Sequence, residues 1–173
     1  MRYFPIVLIV LFSLRCEAGA LRAGAAAIDV TPLHLPISMT GGFQDRRATG
    51  VHDRLHARCL VLADGKKQFA FVIIDSCLIP RDIHDKAKDI ASQRTGIPSS
   101  RILTAATHTH TAPTALSLAQ CSPDPQYLVY LTKQIAEAVI VAHDRMQPVE
   151  IGWGVAAAPD EINNRRWFIN PEA

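Results

Sequence analysis

Two histidines one residue apart, His108 and His110, follow the apolar run Ile102 to Ala106 in the stretch Thr107-His108-Thr109-His110-Thr111-Ala112-Pro113. In an extended backbone, positions i and i+2 share a face, so both imidazoles are expected side by side at the end of a buried strand. Neutral imidazole is a good zinc ligand, and two histidines are costly to bury without partners, so this spacing points to metal binding. A zinc centre needs three or four ligands, and this stretch supplies two at most. The alternative is a solvated turn in which Thr107, Thr109 and Thr111 bond with the rings. The spacing alone names no single reaction.

The remaining chemistry-bearing residues carry less. His52 and His56 lie in Val51-His52-Asp53-Arg54-Leu55-His56-Ala57-Arg58, where a polar strand entrance is the favoured reading over a ligand pair. His34, His84 and His143 fall in a loop or on polar helix faces and read as surface. Asp75 ends an apolar strand, where it either caps the next turn or faces a site at the strand's C-terminal end. Cys59 and Cys77 sit in apolar runs and read as small buried hydrophobes. With Cys121 they form an odd set without paired spacing, which leaves room for a single bridge in an exported protein but writes no disulfide framework.

These residues need a scaffold, and the pattern supplies one. Leu21 to Val30 reads as a strand stopped by Pro32, and Leu33 to Val51, broken by prolines and glycines, as a long irregular loop. Arg54 to Ala63, the turn Asp64-Gly65 and Gln68 to Asp75 form a hairpin signal. Phe69 to Ile74 has no polar alternation, so both its faces are expected to be covered in the middle of a sheet. Arg81 to Thr95 and Gln126 to Arg145 carry helical periodicity, with stops at Gly96 and Pro148. Val149 to Ala157 alternates Ile151, Trp153 and Val155 against glycine, which predicts a last strand. The order predicts an α/β fold with a mixed β-sheet and flanking helices.

With 173 residues, 49% of them hydrophobic and 20% charged, the chain has a globular composition and the size of one domain. A net charge of +2 without a Lys/Arg cluster argues against a nucleic-acid partner; Arg46-Arg47 and Arg165-Arg166 read as isolated surface pairs. The first residues read as an export signal: Arg2, an apolar run from Ile6 to Leu14, then small residues suited to cleavage. That run is far short of the about 20 apolar residues of a membrane span. Arg15 before Cys16 is wrong for lipoprotein processing. Residues 1–20 are therefore assigned to a signal peptide, and residues 21–173 to one exported domain.

The wider set of residues resembles the N-terminal part of the neutral/alkaline non-lysosomal ceramidase family. The matching pieces are Ala23-Gly24-Ala25-Ala26 through Asp29-Val30-Thr31-Pro32, Met39-Thr40-Gly41-Gly42-Phe43 and Val51 to Arg58. The Asp75 strand, Thr107-His108-Thr109-His110 with Pro113, Asn164-Arg165 and Asn170-Pro171 follow in the same order. The resemblance implies a Zn2+-dependent amidohydrolase that splits ceramide, or a related amide lipid, into a sphingoid base and a fatty acid, with peripheral membrane contact through its substrate. It implies His108 as the metal ligand, His110 as the catalytic proton shuttle and Arg165 as the catalytic residue that holds or polarises the substrate carbonyl.

Two departures accompany the resemblance. The family continues its histidine pair with Ser-Gly-Pro, whereas this chain has Thr111-Ala112-Pro113, whose added side chains narrow backbone access near the metal. The family's other ligands, a second histidine, a glutamate and a tyrosine, lie beyond its Asn-Arg segment, and one ligand with one helper does not close a zinc site. Three expectations follow, in order of preference. The chain is a fragment of such a hydrolase, inert alone; or an exported non-catalytic module binding a lipid or a partner; or a short hydrolase recruiting His52 or His56 as ligands.

Overall fold

The computed structural model describes residues 21–161 apart from Lys66 and Ala119. Strand β1 (Leu21–Asp29) is followed by two short strands, β2 (Ile37–Met39) and β3 (Arg46–Ala48), then by β4 (His56–Asp64) and β5 (Lys67–Ile74). Helix α1 (Arg81–Thr95), strand β6 (Ile102–Ala106), helix α2 (Pro125–Asp144) and the two-residue β7 (Gln147–Pro148) complete the order.

The main sheet runs β6-β5-β4-β1-β7, antiparallel throughout except for the parallel pair β5 and β6. This is the mixed sheet with flanking helices that the sequence predicts. Its centre is the β4–β5 hairpin, closed with Asp64 opposite Lys67 and Gly65 at φ 57°, a left-handed turn conformation that glycine adopts without a steric penalty. The parallel step from β5 to β6 needs a crossover, and α1 supplies it. That helix ends at Gly96, at φ 75°, whose N–H donates to the Ser92 carbonyl.

Helix α2 is the clamp. Asp124 caps it by accepting from the backbone N–H groups of Gln126 and Tyr127, with Pro125 in the first turn. Its apolar stripe, including Tyr127, Leu131, Ile135 and Val139, packs into one core with Val30, Val61, Val72 and Ile74. Tyr127 and Tyr130 donate from their hydroxyls to the carbonyls of Val30 and Asp29, and Gln134 donates to Asp29 as well, so α2 pins the end of β1. Gly24 lets the two elements meet: a Cβ there would lie 1.9 Å from the Ala142 carbonyl oxygen.

Three expectations need correction. Phe69 to Ile74 is central in strand order, yet only alternate residues are covered: Ala70, Val72 and Ile74 are fully buried, whereas Phe69, Phe71 and Ile73 are 40–43% exposed. An apolar run does not say how many layers exist, and α1 and α2 cover one face only; Leu60 and Leu103 extend the uncovered face on either side. The alternating stretch after Pro148 is not a strand beyond β7, because Ile151, Trp153 and Val155 are exposed and lack a partner strand among the described residues. Finally, the loop from Leu33 to Val51 contains the hairpin of β2 and β3, with Ile37 opposite Ala48.

Candidate functional site

The site lies at the C-terminal ends of the parallel strands β5 and β6. Their register sets Ile74 opposite Ala106, and the pairing continues past both strands: Thr107 donates to the Ile74 carbonyl and His108 to the Ser76 carbonyl. The two chain ends therefore leave the sheet together, with Cys77 beside His108.

The histidines meet, but not by strand alternation. β6 ends at Ala106, and His108 has φ 62°, in the left-handed region that costs a non-glycine residue roughly 1–3 kcal/mol and that clusters at functional sites. The turn sets the two rings edge to face, with centroids 4.9 Å apart and their Nε2 atoms 3.4 Å apart. Thr109 and Thr111 hydrogen-bond each other, not the rings.

His108 is oriented from behind. Its Nδ1 lies 2.9 Å from the Cys77 carbonyl, and because a carbonyl can only accept, Nδ1 carries the proton and Nε2 keeps its lone pair. This is how metal-binding histidines are commonly held, with the other ring N–H donated to a carbonyl. The Cys77 Sγ lies 3.7 Å from the same Nδ1, and burial pushes its thiol pKa up. Cys77, His108 and His110 together offer one ligand atom each, all within 4.8 Å of one another. Imidazole and thiol donors fit a borderline or soft divalent metal such as zinc better than magnesium or calcium.

His110 is seated by the loop that follows β2. Met39 bridges to Pro113, Thr114 donates to the Ser38 carbonyl, and the Cys121 thiol donates to the Met39 carbonyl. The next turn brings Gly41, at φ 122°, flat against the His110 ring. Beside this seat opens a cavity of about 550 Å³, lined by Leu35, Ile37, Met39 and Val51 and reaching Thr111 and Pro113.

The other candidates do not join the histidine pair, although His52 lines the neighbouring cavity. Asp75 works structurally, accepting from the His56 backbone N–H and pairing with Arg58 at 2.7 Å. His52 is exposed and pairs with Asp53, and His56 contacts Arg58; among the described residues neither joins the metal-competent group. Cys59, Cys77 and Cys121 are free and buried, and burial pushes the Cys59 thiol up to about 12. Arg165 and the leader lie outside the described residues. The residue that sequence reasoning missed is Cys77: its position three residues beyond a strand end was the available signal, but the partner strand was not legible.

The chain is similar to neutral ceramidase 3 of Arabidopsis thaliana, 27% identical over 146 residues, covering 74% of this chain and 19% of that protein. Its fold matches the crystal structure of neutral ceramidase from Pseudomonas aeruginosa at a TM-score of 0.68, with 22% identity over 76% of this chain and 23% of that one. A structure described as ceramidase complexed with C2 matches at 0.66, with 24% identity over 75% of this chain and 22% of that one. The chain thus spans about a fifth of the length of these relatives. A family model described as neutral/alkaline non-lysosomal ceramidase, N-terminal, matches residues 21–171. With a match of that extent, the chain belongs to the neutral/alkaline non-lysosomal ceramidase family, in its N-terminal part.

Proposed function

We propose that this chain is the histidine-bearing part of a zinc-dependent amidohydrolase that splits ceramide, or a related amide lipid, into a sphingoid base and a fatty acid. The observation that carries the reading is the His108–His110 pair, with its Nε2 atoms 3.4 Å apart at a parallel strand end, inside the region the family model matches. The cavity that reaches Thr111 and Pro113, lined by Leu35, Ile37, Met39 and Val51 on one hand and by Arg47, His52 and Asp53 on the other, supports a substrate that carries both a hydrocarbon chain and polar groups.

His108 would hold the metal through Nε2, its ring being fixed by the bond from Nδ1 to the Cys77 carbonyl. Zinc bound there supplies two things: polarisation of the amide carbonyl and a water acidic enough to attack near neutral pH. His110, whose Nε2 lies 3.4 Å from that of His108, would be placed to take a proton from an attacking water and hand it to the departing amine, a role typically worth about a hundredfold or more. Arg165, permanently charged, steadies the negative charge that develops on the carbonyl oxygen. The family's longer chains carry further ligands, so we read this chain as a fragment whose catalytic centre is completed by residues beyond those it contains. Residues 1–20 act as an export leader in the same reading.

The test is direct. The chain without its leader is purified and assayed for zinc content and ceramide hydrolysis, alone and as His108→Ala. Zinc that is lost in His108→Ala, with slow or no turnover by the unmodified chain, supports a metal-holding fragment. Zinc held as tightly by His108→Ala as by the unmodified chain, or ceramide hydrolysis that survives that substitution, overturns the reading.

A further inference from the structure

We propose that the cavity beside His110 takes an amide lipid with an anionic head group, a carboxylate or a phosphate held by Arg47, in preference to uncharged ceramide. This deepens the amidohydrolase reading and rests on it. At about 550 Å³ the cavity has room for a drug-sized ligand. Leu35, Ile37, Met39 and Val51 give it a wall for a hydrocarbon chain, and Arg47 sets a permanent positive charge in its lining.

Arg47 is not spent on the protein. Its guanidinium donates to the Pro36 carbonyl at 3.2 Å, and the ion pairs among the described residues leave it out. A guanidinium carries five N–H donors in a planar fork, so one such bond leaves donors for a two-point hold on a carboxylate or phosphate. The nearby acids are engaged elsewhere: Asp53, also in the lining, pairs with His52 at 3.0 Å, and Asp45 accepts from the Ser38 hydroxyl. The cavity thus presents an uncompensated cation beside an apolar wall. An anionic amphiphile complements that arrangement, and a ligand whose polar groups are hydroxyls alone does not. The fold ties this cation to the histidines, because Arg47 pairs with Ser38 in the β2–β3 hairpin and the Ser38 carbonyl accepts from Thr114, in the loop that carries His110. Arg46, one residue earlier, is outside the lining and sits against Gly42, which makes it the control.

The test is isothermal titration calorimetry of the full chain with N-lauroylglycine, N-lauroylethanolamine phosphate and uncharged N-lauroylethanolamine, each below its micelle-forming concentration. The anionic lipids are expected to bind about tenfold or more tightly than the uncharged one, the gain typical of a charge-assisted hydrogen bond. Arg47→Ala is expected to remove that advantage and Arg46→Ala to keep it, with circular dichroism confirming the fold of each. Arg47→Lys, which keeps the charge but not the fork, is expected to lose less than Arg47→Ala. Equal affinity for charged and uncharged lipids, no binding of any of them, or an anionic preference that survives Arg47→Ala overturns the inference and leaves the histidine pair to its own zinc test. Laurate bound as tightly as N-lauroylglycine overturns the assignment to an amide lipid. A preference for the carboxylate or for the phosphate lipid supports the inference and identifies the head group.

Discussion

Gly41 and His110 are packed so closely that a Cβ on Gly41 would lie 2.5 Å from the His110 Cβ and 2.9 Å from its Nδ1. Both a left-handed φ and the missing side chain are needed there, because the imidazole is rigid and its backbone is tied through Pro113 and Thr114 to β2. Gly41→Ala is expected to displace the His110 ring while sparing the sheet. The check is the NMR chemical shifts of the histidine ring protons at one fixed pH: those of His110 move and those of His34 and His143 do not. In a completed enzyme, turnover falls about a hundredfold if His110 carries the proton. An unchanged His110 resonance would remove Gly41 from the site.

The end of β1 carries a pH-dependent lock. Burial alone would raise the Asp29 pKa, but the side-chain and backbone bonds from Thr31 and the Arg54 guanidinium outweigh it, and the carboxyl is held below its ordinary value of 3.8. Because the folded pKa is the lower, the lock stabilises the fold above pH about 4 and is lost as pH falls through the folded value. Thermal melts at pH 7 and pH 3 test this with Asp29→Asn. The gap between the unsubstituted chain and the variant is expected to narrow at pH 3, and a gap of equal size at both pH values would refute the assignment.

Gly24→Ala is expected to lower stability by the upper end of the roughly 1–3 kcal/mol typical of overpacking, because its Cβ meets the backbone oxygen of Ala142, which cannot rotate away. Gly50→Ala, with nothing within 4 Å, is the matched control and is expected to be near neutral. Urea midpoints measure both. Equal midpoints would mean that β1 and α2 are not in close contact in solution.

The uncovered sheet face, with Phe69, Phe71, Leu60 and Leu103 in register, is a contiguous apolar surface. It is expected to bind a hydrophobic dye such as ANS. Phe69→Ser combined with Phe71→Ser is expected to cut that fluorescence severalfold with little change in stability, each side chain being about two-fifths exposed. Fluorescence that survives the double substitution would locate the dye elsewhere.

Local order was legible from sequence because it is written in short-range periods. The i to i+4 spacing from Tyr127 to Ala142, the Gly96 stop and the Asp64-Gly65 turn each depend on neighbours within a few residues, and α1, α2 and the hairpin appear where those signals put them. The Ile151 to Val155 alternation failed for the same reason: a period describes a strand only if a partner lies beside it.

By itself, the sequence determined the elements, their α/β order, the family resemblance and the His108–His110 pair. Tertiary structure alone decided what those histidines face. Cys77 lies 31 residues before His108 and reaches it only through the register of β5 against β6, and Gly41 reaches His110 only through the bridge from Met39 to Pro113. The single covered face of the sheet was likewise settled by which side α1 and α2 pack on. The physical reason is that residue types and spacings record local propensity, whereas a site is made of contacts between segments whose register is set by the packing of the whole domain.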